Sequence, residues 1–364
     1  MRPGPAGVNP RVVWVSFAPL RKSPRGLTSD LASVRYRITL PAAVLEHGGW
    51  RGRVMHLGAH ANRQTLLARF GDADAVVFGK FVETGPGFAA ESQRILDLAE
   101  ELSRRGTRVL ADFSDDHFMD PQLGPFFHSL VRLADCSVAA TPDLAEVLRG
   151  AEARRVAVVT DPVEGSRGEP MVRDVGSQPV AARAPLRILW FGYPKNLDTL
   201  RLLLPSLEDL ARATALVLTV VTAPNVGAER LVAQATNAWQ SMSSAARFVR
   251  WSTDSVFEGL RETDLVVIPS NPHDPRRSVK SPNRFTESVW AGRFVTANPL
   301  PAYEKLSDAG WVGEDLAEGI RWYLDHPGDA LERIRAGQAL IEREYSPDAV
   351  AEAWKTAILG ALGM

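Results

Sequence analysis

The chain has 364 residues, of which 45% are hydrophobic and 23% charged, with a formal net charge of -1 and one cysteine. This length fits two domains of ordinary size, and the near-neutral charge argues against a nucleic-acid-binding protein. The lone Cys136 excludes a disulfide within the chain and favours a reducing compartment. Residues 1–10 lack the apolar core of a signal peptide and no apolar run could span a bilayer, so we expect a cytoplasmic protein with a flexible tail at 1–10.

Residues 11–163 alternate short Val-rich segments with amphipathic ones. Because continuous apolar strands joined by helices form a parallel sheet covered on both faces, this stretch predicts an α/β, Rossmann-like domain. No G-x-G-x-x-G follows its first strand, so a nicotinamide dinucleotide site is not indicated. The predicted strands are 11–17, 53–57, 75–79, 107–113, 135–140 and 155–160. The predicted helices are 31–47, 62–70, 88–105, 124–133 and 142–148, the last with Thr141 as its N-cap.

Three acids and a histidine are crowded into residues 112–117, where one predicted strand ends. Ligands bind at the carboxyl ends of parallel strands, and a carboxylate or histidine there could take the proton of an acceptor hydroxyl. We therefore predict that Asp115, Asp116 or His117 is the catalytic base, with a solvated or capping loop as the open alternative. One histidine is too little for a zinc site, and the D-A-D string at 72–74 fits a capping turn, so no metal site is predicted.

Residues 164–185 are polar, aperiodic and contain several Gly and Pro, which is typical of an interdomain linker. A second α/β series over 186–346 predicts another Rossmann-like domain, and one more helix is predicted at 347–362, within the terminal segment 347–364. The predicted strands are 186–191, 216–222, 247–251, 265–269 and 294–296. The predicted helices are 197–213, 227–240, 253–261, one beginning at 281, 314–324 and 330–344.

The helix beginning at Ser281 is the centre of the predicted site. Ser281 suits an N-cap and Pro282 a first turn, and a helix N-terminus offers free N–H groups and a partial positive charge. Basic residues surround this start in the sequence, and a Gly-Tyr-Pro-Lys-Asn turn follows the first strand of the same domain. Together they predict a diphosphate site held without a metal. The predicted contacts are Gly192, Lys195, Asn196, Lys280, Ser281, Asn283 and Arg284.

Glu287 lies one turn further along this helix, where its carboxylate could accept hydrogen bonds from the two hydroxyls of a ribose. An exposed helix with an Arg284–Glu287 ion pair is the open alternative. Trp251, at the end of a predicted strand, is the predicted contact for the nucleotide base of the donor, and Trp190 is a second candidate. For both tryptophans a plain core position is the alternative.

The run Glu287-Ser-Val-Trp-Ala-Gly292-Arg-Phe-Val-Thr resembles the E-A-x-A-x-G-x-P-V-V element of group 1 GT-B glycosyltransferases. The resemblance implies two tandem Rossmann-like domains with helices on both sheet faces and a C-terminal helix that crosses back to the first domain. It also implies that Glu287 holds the donor ribose and that Lys195 contacts the diphosphate. Val279 stands where families with two glutamates have the first, and Phe294 replaces proline, so a sugar contact is left unfilled.

We therefore predict a metal-independent glycosyltransferase, with residues 11–163 binding an acceptor and 186–346 binding a nucleotide-sugar such as a UDP- or GDP-sugar. No cofactor is expected beyond this donor, and no nucleic acid. The acceptor, a glycan, glycolipid or small molecule, is left open, as is a peripheral membrane contact. Two alternatives remain: a nucleotide-sugar epimerase of the same fold, and a catalytically degenerate two-domain binding protein.

Overall fold

The computed structural model describes residues 9–24, 26–58, 63–81, 85–173 and 184–364. Its chain forms two compact units. The first comprises Met1–Pro162, Val279–Ser281 and Glu344–Met364, and the second Val163–Ser278 and Pro282–Arg343. Three predicted segments lie partly outside the described residues: the tail at 1–10, the helix at 62–70 and the linker at 164–185. In the ranges that are described, no helix combines the length and apolar character needed to cross a bilayer.

The first unit is built on a parallel six-stranded sheet in the order β4-β1-β5-β6-β7-β8. Side chains alternate between its faces: Val13 and Val15 of β1 pack into one apolar cluster, and Val12 and Trp14 into another. Its strands are β1 Arg11–Ser16, β4 Arg51–His56, β5 Ala75–Phe78, β6 Arg108–Phe113, β7 Cys136–Ala139 and β8 Val156–Val158. An unpredicted antiparallel hairpin, β2 Arg21–Ser23 and β3 Gly26–Thr28, follows β1.

Helices cover both faces of this sheet. They are α1 Ala32–Val34, α2 Leu40–His47, α3 Arg63–Phe70, α4 Phe88–Arg104, α5 Gly124–Leu133, α6 Pro142–Gly150 and α15 Pro347–Leu362. A π-helical turn, Arg35–Thr39, joins α1 to α2, so the predicted single helix is continuous but irregular. The Thr141 hydroxyl accepts a hydrogen bond from the Leu144 amide at 3.2 Å, which confirms Thr141 as the N-cap of α6.

The C-terminal helix α15 belongs to the first unit. Trp354 of α15 meets Trp14 of β1 edge to face, with ring centroids 4.8 Å apart, and both side chains are fully buried. Ala351 and Ile358 join the same cluster. The predicted return of the last helix to the first domain is therefore confirmed.

The second unit has its own parallel six-stranded sheet, in the order β11-β10-β9-β12-β13-β14. The two-residue strand β14 was not predicted. The strands are β9 Leu186–Phe191, β10 Leu216–Thr222, β11 Ala245–Arg250, β12 Leu265–Ile268, β13 Phe294–Ala297 and β14 Trp311–Val312. The helices are α7 Leu197–Ala213, α8 Val226–Trp239, α9 Thr253–Glu262, α10 Pro275–Ser278, α11 Asn283–Trp290, α12 Pro301–Glu304, α13 Leu316–Asp325 and α14 Pro327–Glu344. Two parallel, helix-covered sheets confirm the predicted fold class.

The described part of the predicted linker, residues 164–173, packs against the second unit as a strap. The Gly168 amide donates to the Trp290 carbonyl at 2.9 Å, and the Met171 amide to the Gly292 carbonyl at 3.0 Å. A Cβ on Gly168 would come within 2.3 Å of the Ala291 carbonyl oxygen, so the approach requires glycine. The glycine content that resembled a linker serves close backbone packing here.

Candidate functional site

Each sheet has one point where its strand order reverses, and ligands of doubly wound α/β units bind outside the carboxyl ends of the strands there. In the second unit this switch point lies between β9 and β12, and in the first between β1 and β5. The predicted loop at Gly192 follows β9, and the acidic loop follows β6, the neighbour of β5. The topology thus puts both predicted loops at the ligand-binding edge of their own sheets.

Gly192 and Arg284 are brought together at the second switch point. A Cβ on Gly192 would lie 3.5 Å from Arg284 Nη1, and the same nitrogen is 3.5 Å from the Phe191 carbonyl oxygen. The Gly192 backbone is fixed by the Thr222 hydroxyl, which donates to its carbonyl at 2.8 Å. The bare glycine leaves an arginine beside an open backbone turn, as phosphate recognition requires.

Lys195 and Asn196 lie in the next turn, a 3-10 helix at Pro194–Asn196. Lys195 is exposed, and Asn196 Oδ1 accepts a hydrogen bond from Arg277 Nη2 at 2.9 Å. Arg277 was not among the predicted contacts, although it stands in the basic run before α11. Its contact with Asn196 adds a second guanidinium to the β9 turn, so two arginines and one lysine border this edge.

The start of α11 differs from the prediction. The helix begins at Asn283 with Pro282 as its N-cap, so Ser281 is not the N-cap. The reason is that residues 279–281 pack with the first unit: Val279 is 3% exposed, and its carbonyl accepts a hydrogen bond from the Thr141 hydroxyl at 3.0 Å. A residue before proline is also disfavoured in helical geometry. Asn283 is therefore the first residue of the helix.

Glu287 is 3% exposed, and its carboxylate accepts hydrogen bonds from two backbone amides of the strap. The Glu164 amide donates at 2.5 Å to one oxygen and the Gly165 amide at 3.2 Å to the other. Trp290 Nε1 donates to the Gly165 carbonyl at 3.0 Å, which fixes the strap from the same helix. The open alternative of an exposed helix face is wrong, since Glu287 is buried. The ribose contact of Glu287 stays a prediction.

The two tryptophans considered for the base occupy different environments. Trp190 is fully buried in the core of the second unit, as the core alternative predicted. Trp251 follows β11, is half-buried, and its amide donates to the Thr222 carbonyl at 2.8 Å. Trp251 therefore lies at the carboxyl edge of the sheet, beside the end of β10, and stays the predicted base contact.

In the first unit, the three predicted catalytic residues have different surroundings. Both oxygens of the Asp115 carboxylate are paired, one with Lys80 and the other with Lys280. Asp116 Oδ1 accepts a hydrogen bond from the Phe118 amide at 3.0 Å, a capping role that the alternative anticipated. His117 lies edge to face with Phe127, at 5.4 Å between ring centroids. Lys280, predicted on the donor diphosphate, thus pairs with an acid of the first unit.

His117 is the residue of this loop with an unused nitrogen. Its Nε2 is buried and has no hydrogen-bond partner within the described part of the chain. Burial and the nearby Lys80 ammonium lower the pKa of His117, against the opposing effect of Asp120 and Asp116. A lowered pKa favours the neutral imidazole, which is the form that accepts a proton.

Sequence reasoning missed a buried ion network below this loop. Arg37, 1% exposed, donates Nη2 to Asp112 Oδ1 at 2.6 Å and Nη1 to Asp161 Oδ1 at 3.1 Å. Its Nη1 also donates to the Val159 carbonyl. One signal was present: Arg37 stands between apolar neighbours in a predicted core-facing helix, where an unpaired cation would be costly. The network ties the irregular helical turn to β6 and to the chain after β8.

No family model matches the chain, and no curated protein matches it in sequence. Solved structures do match. HepE of Anabaena in complex with UDP has a TM-score of 0.65 at 11% identity, over 96% of this chain and 100% of that one. A glycosyltransferase from Rickettsia africae ESF-5 has a TM-score of 0.64 at 11% identity, over 97% of this chain and 99% of that one. Sucrose-phosphate synthase of Thermosynechococcus elongatus has a TM-score of 0.64 at 12% identity, over 98% of this chain and 100% of that one. These likenesses confirm the GT-B fold that the resemblance implied.

Proposed function

Starting from this GT-B fold, we propose that the chain is a glycosyltransferase that moves a sugar from a UDP-sugar to an acceptor hydroxyl. The observation that carries the proposal is the basic edge of the second unit, where Arg284 lies beside Gly192 and Arg277 holds Asn196. HepE, a structural neighbour, has been solved with UDP and with UDP-glucose, which makes UDP the first nucleotide to test.

In the proposed mechanism, Arg284, Lys195 and the first amides of α11 bind the diphosphate and stabilise the charge that develops on it as the sugar bond breaks. These are positive groups aimed at a leaving anion, so no metal is required in the proposal. Glu287 would hold the ribose and Trp251 the base.

We assign the acceptor base to His117 in preference to its two neighbours. Asp115 is held between two lysines and Asp116 caps the Phe118 amide, whereas His117 has an unpartnered nitrogen in the described part of the chain. A neutral imidazole would take the hydroxyl proton as the new bond forms. His117→Ala should lower kcat by about 10²–10⁴ with UDP affinity unchanged, and Asp116→Asn should cost much less.

Calorimetric titration with UDP tests the donor site. Arg284→Ala should weaken UDP binding by about 1.5–3 kcal/mol through loss of a charge-assisted contact. Arg276→Ala is the matched control, because Arg276 is an exposed neighbour in sequence that pairs with Asp274. Equal affinities for wild type and Arg284→Ala would remove Arg284 from the site.

Turnover measurements separate the alternatives. Transfer from a UDP-sugar should persist in excess chelator, and a requirement for added magnesium would contradict the metal-independent proposal. Production of an isomerised sugar or free UDP without any acceptor would favour the epimerase. Absence of binding to every nucleoside diphosphate would favour a degenerate binding protein.

A further inference from the structure

Two lysines converge on one carboxylate at the ligand-binding edge of the first unit. Lys80 follows β5 at the switch point and pairs with Asp115 Oδ2, while Lys280 pairs with Asp115 Oδ1. Asp115 itself is 8% exposed and follows β6, the strand next to β5. The residue before Lys80 is Gly79, where an added Cβ would lie 2.3 Å from Ile38 Cδ1. The backbone that leads to Lys80 is therefore closely packed.

The carboxylates near these two ammonium groups have different partners. Asp112 and Asp161 are both bound directly by Arg37, and within the described part of the chain Asp115 is the carboxylate in direct contact with Lys80 and Lys280. Each ammonium carries three N–H donors, and one carboxylate cannot satisfy six. The Lys280 side chain is 44% exposed and that of Lys80 21%, so donors remain that a ligand can reach.

The loop that carries Asp115 also has polar atoms in need of a partner. Ser114 Oγ and His117 Nε2, the neighbours on either side of the Asp115–Asp116 pair, are buried and lack a hydrogen-bond partner among the described residues. Buried polar atoms are normally satisfied, so these two need a partner from outside the described residues, either water or a polar ligand.

We propose that Lys80 and Lys280 bind an oxyanion, a phosphate or carboxylate group carried by the acceptor. The inference rests on the proposed function and narrows its acceptor to a negatively charged compound. The oxyanion lies against the two ammonium groups and aligns the acceptor so that one hydroxyl reaches His117. Lys280 accordingly serves the acceptor and not the donor diphosphate.

The titration of the lysines agrees with this role. Burial lowers the pKa of Lys80 to about 8, although Asp112 and Asp161 act to raise it. Burial, followed by the neighbouring Lys80, lowers the pKa of Lys280 to about 8. The titratable groups that interact with Lys80 are Asp115, Asp112, Asp161 and His117, and Lys280 interacts with Asp115 and with Lys80 itself. A bound oxyanion favours the protonated ammonium, so binding must raise both pKa values and must weaken as the pH rises through about 8.

The chain has few lysines, which allows each to be observed by itself. Selective ¹³C labelling of lysine leaves every ammonium group intact and gives one Cε signal per lysine, assigned by single Lys→Arg variants. The lysines are Lys22, Lys80, Lys195, Lys280, Lys305 and Lys355. The full chain is titrated with inorganic phosphate and with acetate in the presence of saturating UDP, so that the donor site is occupied.

Inorganic phosphate should shift the signals of Lys80 and Lys280 and raise their pKa by about one unit, a tenfold preference for the protonated state. Lys305, which is exposed, is the matched control and should not respond. UDP alone should shift Lys195 and leave Lys80 and Lys280 unmoved. Lys80→Met should abolish the response of Lys280, whereas Lys80→Arg should retain it, and thermal unfolding verifies that both variants fold.

A response to acetate equal to that to phosphate identifies a carboxylate as an equally good ligand, and a response to phosphate alone identifies a phosphate ester. The proposal is overturned if neither anion moves Lys80 and Lys280, or if UDP alone moves Lys280. Failure of the proposed function gives a different result: UDP then moves no signal, while the response of Lys80 and Lys280 to phosphate persists.

Discussion

Replacement of Glu287 by alanine tests whether one carboxylate anchors the strap and also holds the donor ribose. The change removes two hydrogen bonds from a side chain that is 3% exposed, at 2.5 Å to the Glu164 amide and 3.2 Å to the Gly165 amide. Hydrogen bonds to charged groups contribute about 1.5–3 kcal/mol each, and the longer one should lie at or below the lower end. We therefore expect Glu287→Ala to lower the free energy of unfolding by about 2–4 kcal/mol.

Urea unfolding measures this loss, and Trp290→Phe is the matched control. That variant removes the 3.0 Å hydrogen bond from Trp290 Nε1 to the Gly165 carbonyl and leaves the carboxylate untouched. It should cost about 1 kcal/mol, a typical net value for a neutral hydrogen bond. Because it loosens the same strap, it separates an effect of strap position from an effect of the carboxylate itself.

The ribose contact is tested by a thermodynamic cycle. The affinities of UDP and 2′-deoxy-UDP are measured for the wild type and for Glu287→Ala. Loss of the 2′-hydroxyl should weaken binding to the wild type and to Trp290→Phe by about tenfold, or 1.4 kcal/mol. The same loss should have no effect on Glu287→Ala, since the partner is already gone. Equal binding of the two nucleotides by the wild type would show that Glu287 is only an anchor of the strap, and the ribose role would have to be abandoned.

Three further expectations concern stability and reactivity. Arg37→Leu leaves buried Asp112 and Asp161 without their cation and should destabilise the first unit by about 3–5 kcal/mol in urea, so a smaller loss than about 1 kcal/mol would contradict the network. Gly292→Ala should lower the free energy of unfolding by more than about 2 kcal/mol, because φ is +77° and a Cβ would lie 2.1 Å from the Glu169 carbonyl oxygen. Gly328→Ala, with no atom within 4 Å, is its neutral control. Burial raises the pKa of the Cys136 thiol to about 11, so a disulfide reagent should modify it only after unfolding, and rapid reaction with the native chain would exclude its burial.

The order of elements could be predicted because parallel strands are buried on both faces and therefore appear as continuous apolar runs. The strand Leu186–Phe191 and the helix Gly124–Leu133 have their predicted bounds. The hairpin strand Arg21–Ser23 has three residues and the strand Trp311–Val312 has two. Both are too short to show a periodic pattern of hydrophobic residues.

The candidate site was predictable only in its local parts. Gly192 and Arg284 could be named because a glycine after a strand and a basic helix start have recognisable chemistry. The partners of Lys280 could not, because its pairing with Asp115 joins residues far apart in sequence. Ser281 has the sequence of an N-cap, but tertiary packing of Val279 with the first unit prevails over that local preference.

The position of Trp354 against Trp14 has a consequence for the order of events during synthesis. The first unit has most of its chain by Pro162, yet the apolar cluster around Trp14 is only partly covered until the helix Pro347–Leu362 is made. The second unit, by contrast, is complete at Arg343. On the ribosome the later-translated unit should therefore finish folding first, and the earlier one should wait with an exposed tryptophan that chaperones can bind. Chains released after Glu344 should show this directly, with a protease-resistant second unit and a protease-sensitive first.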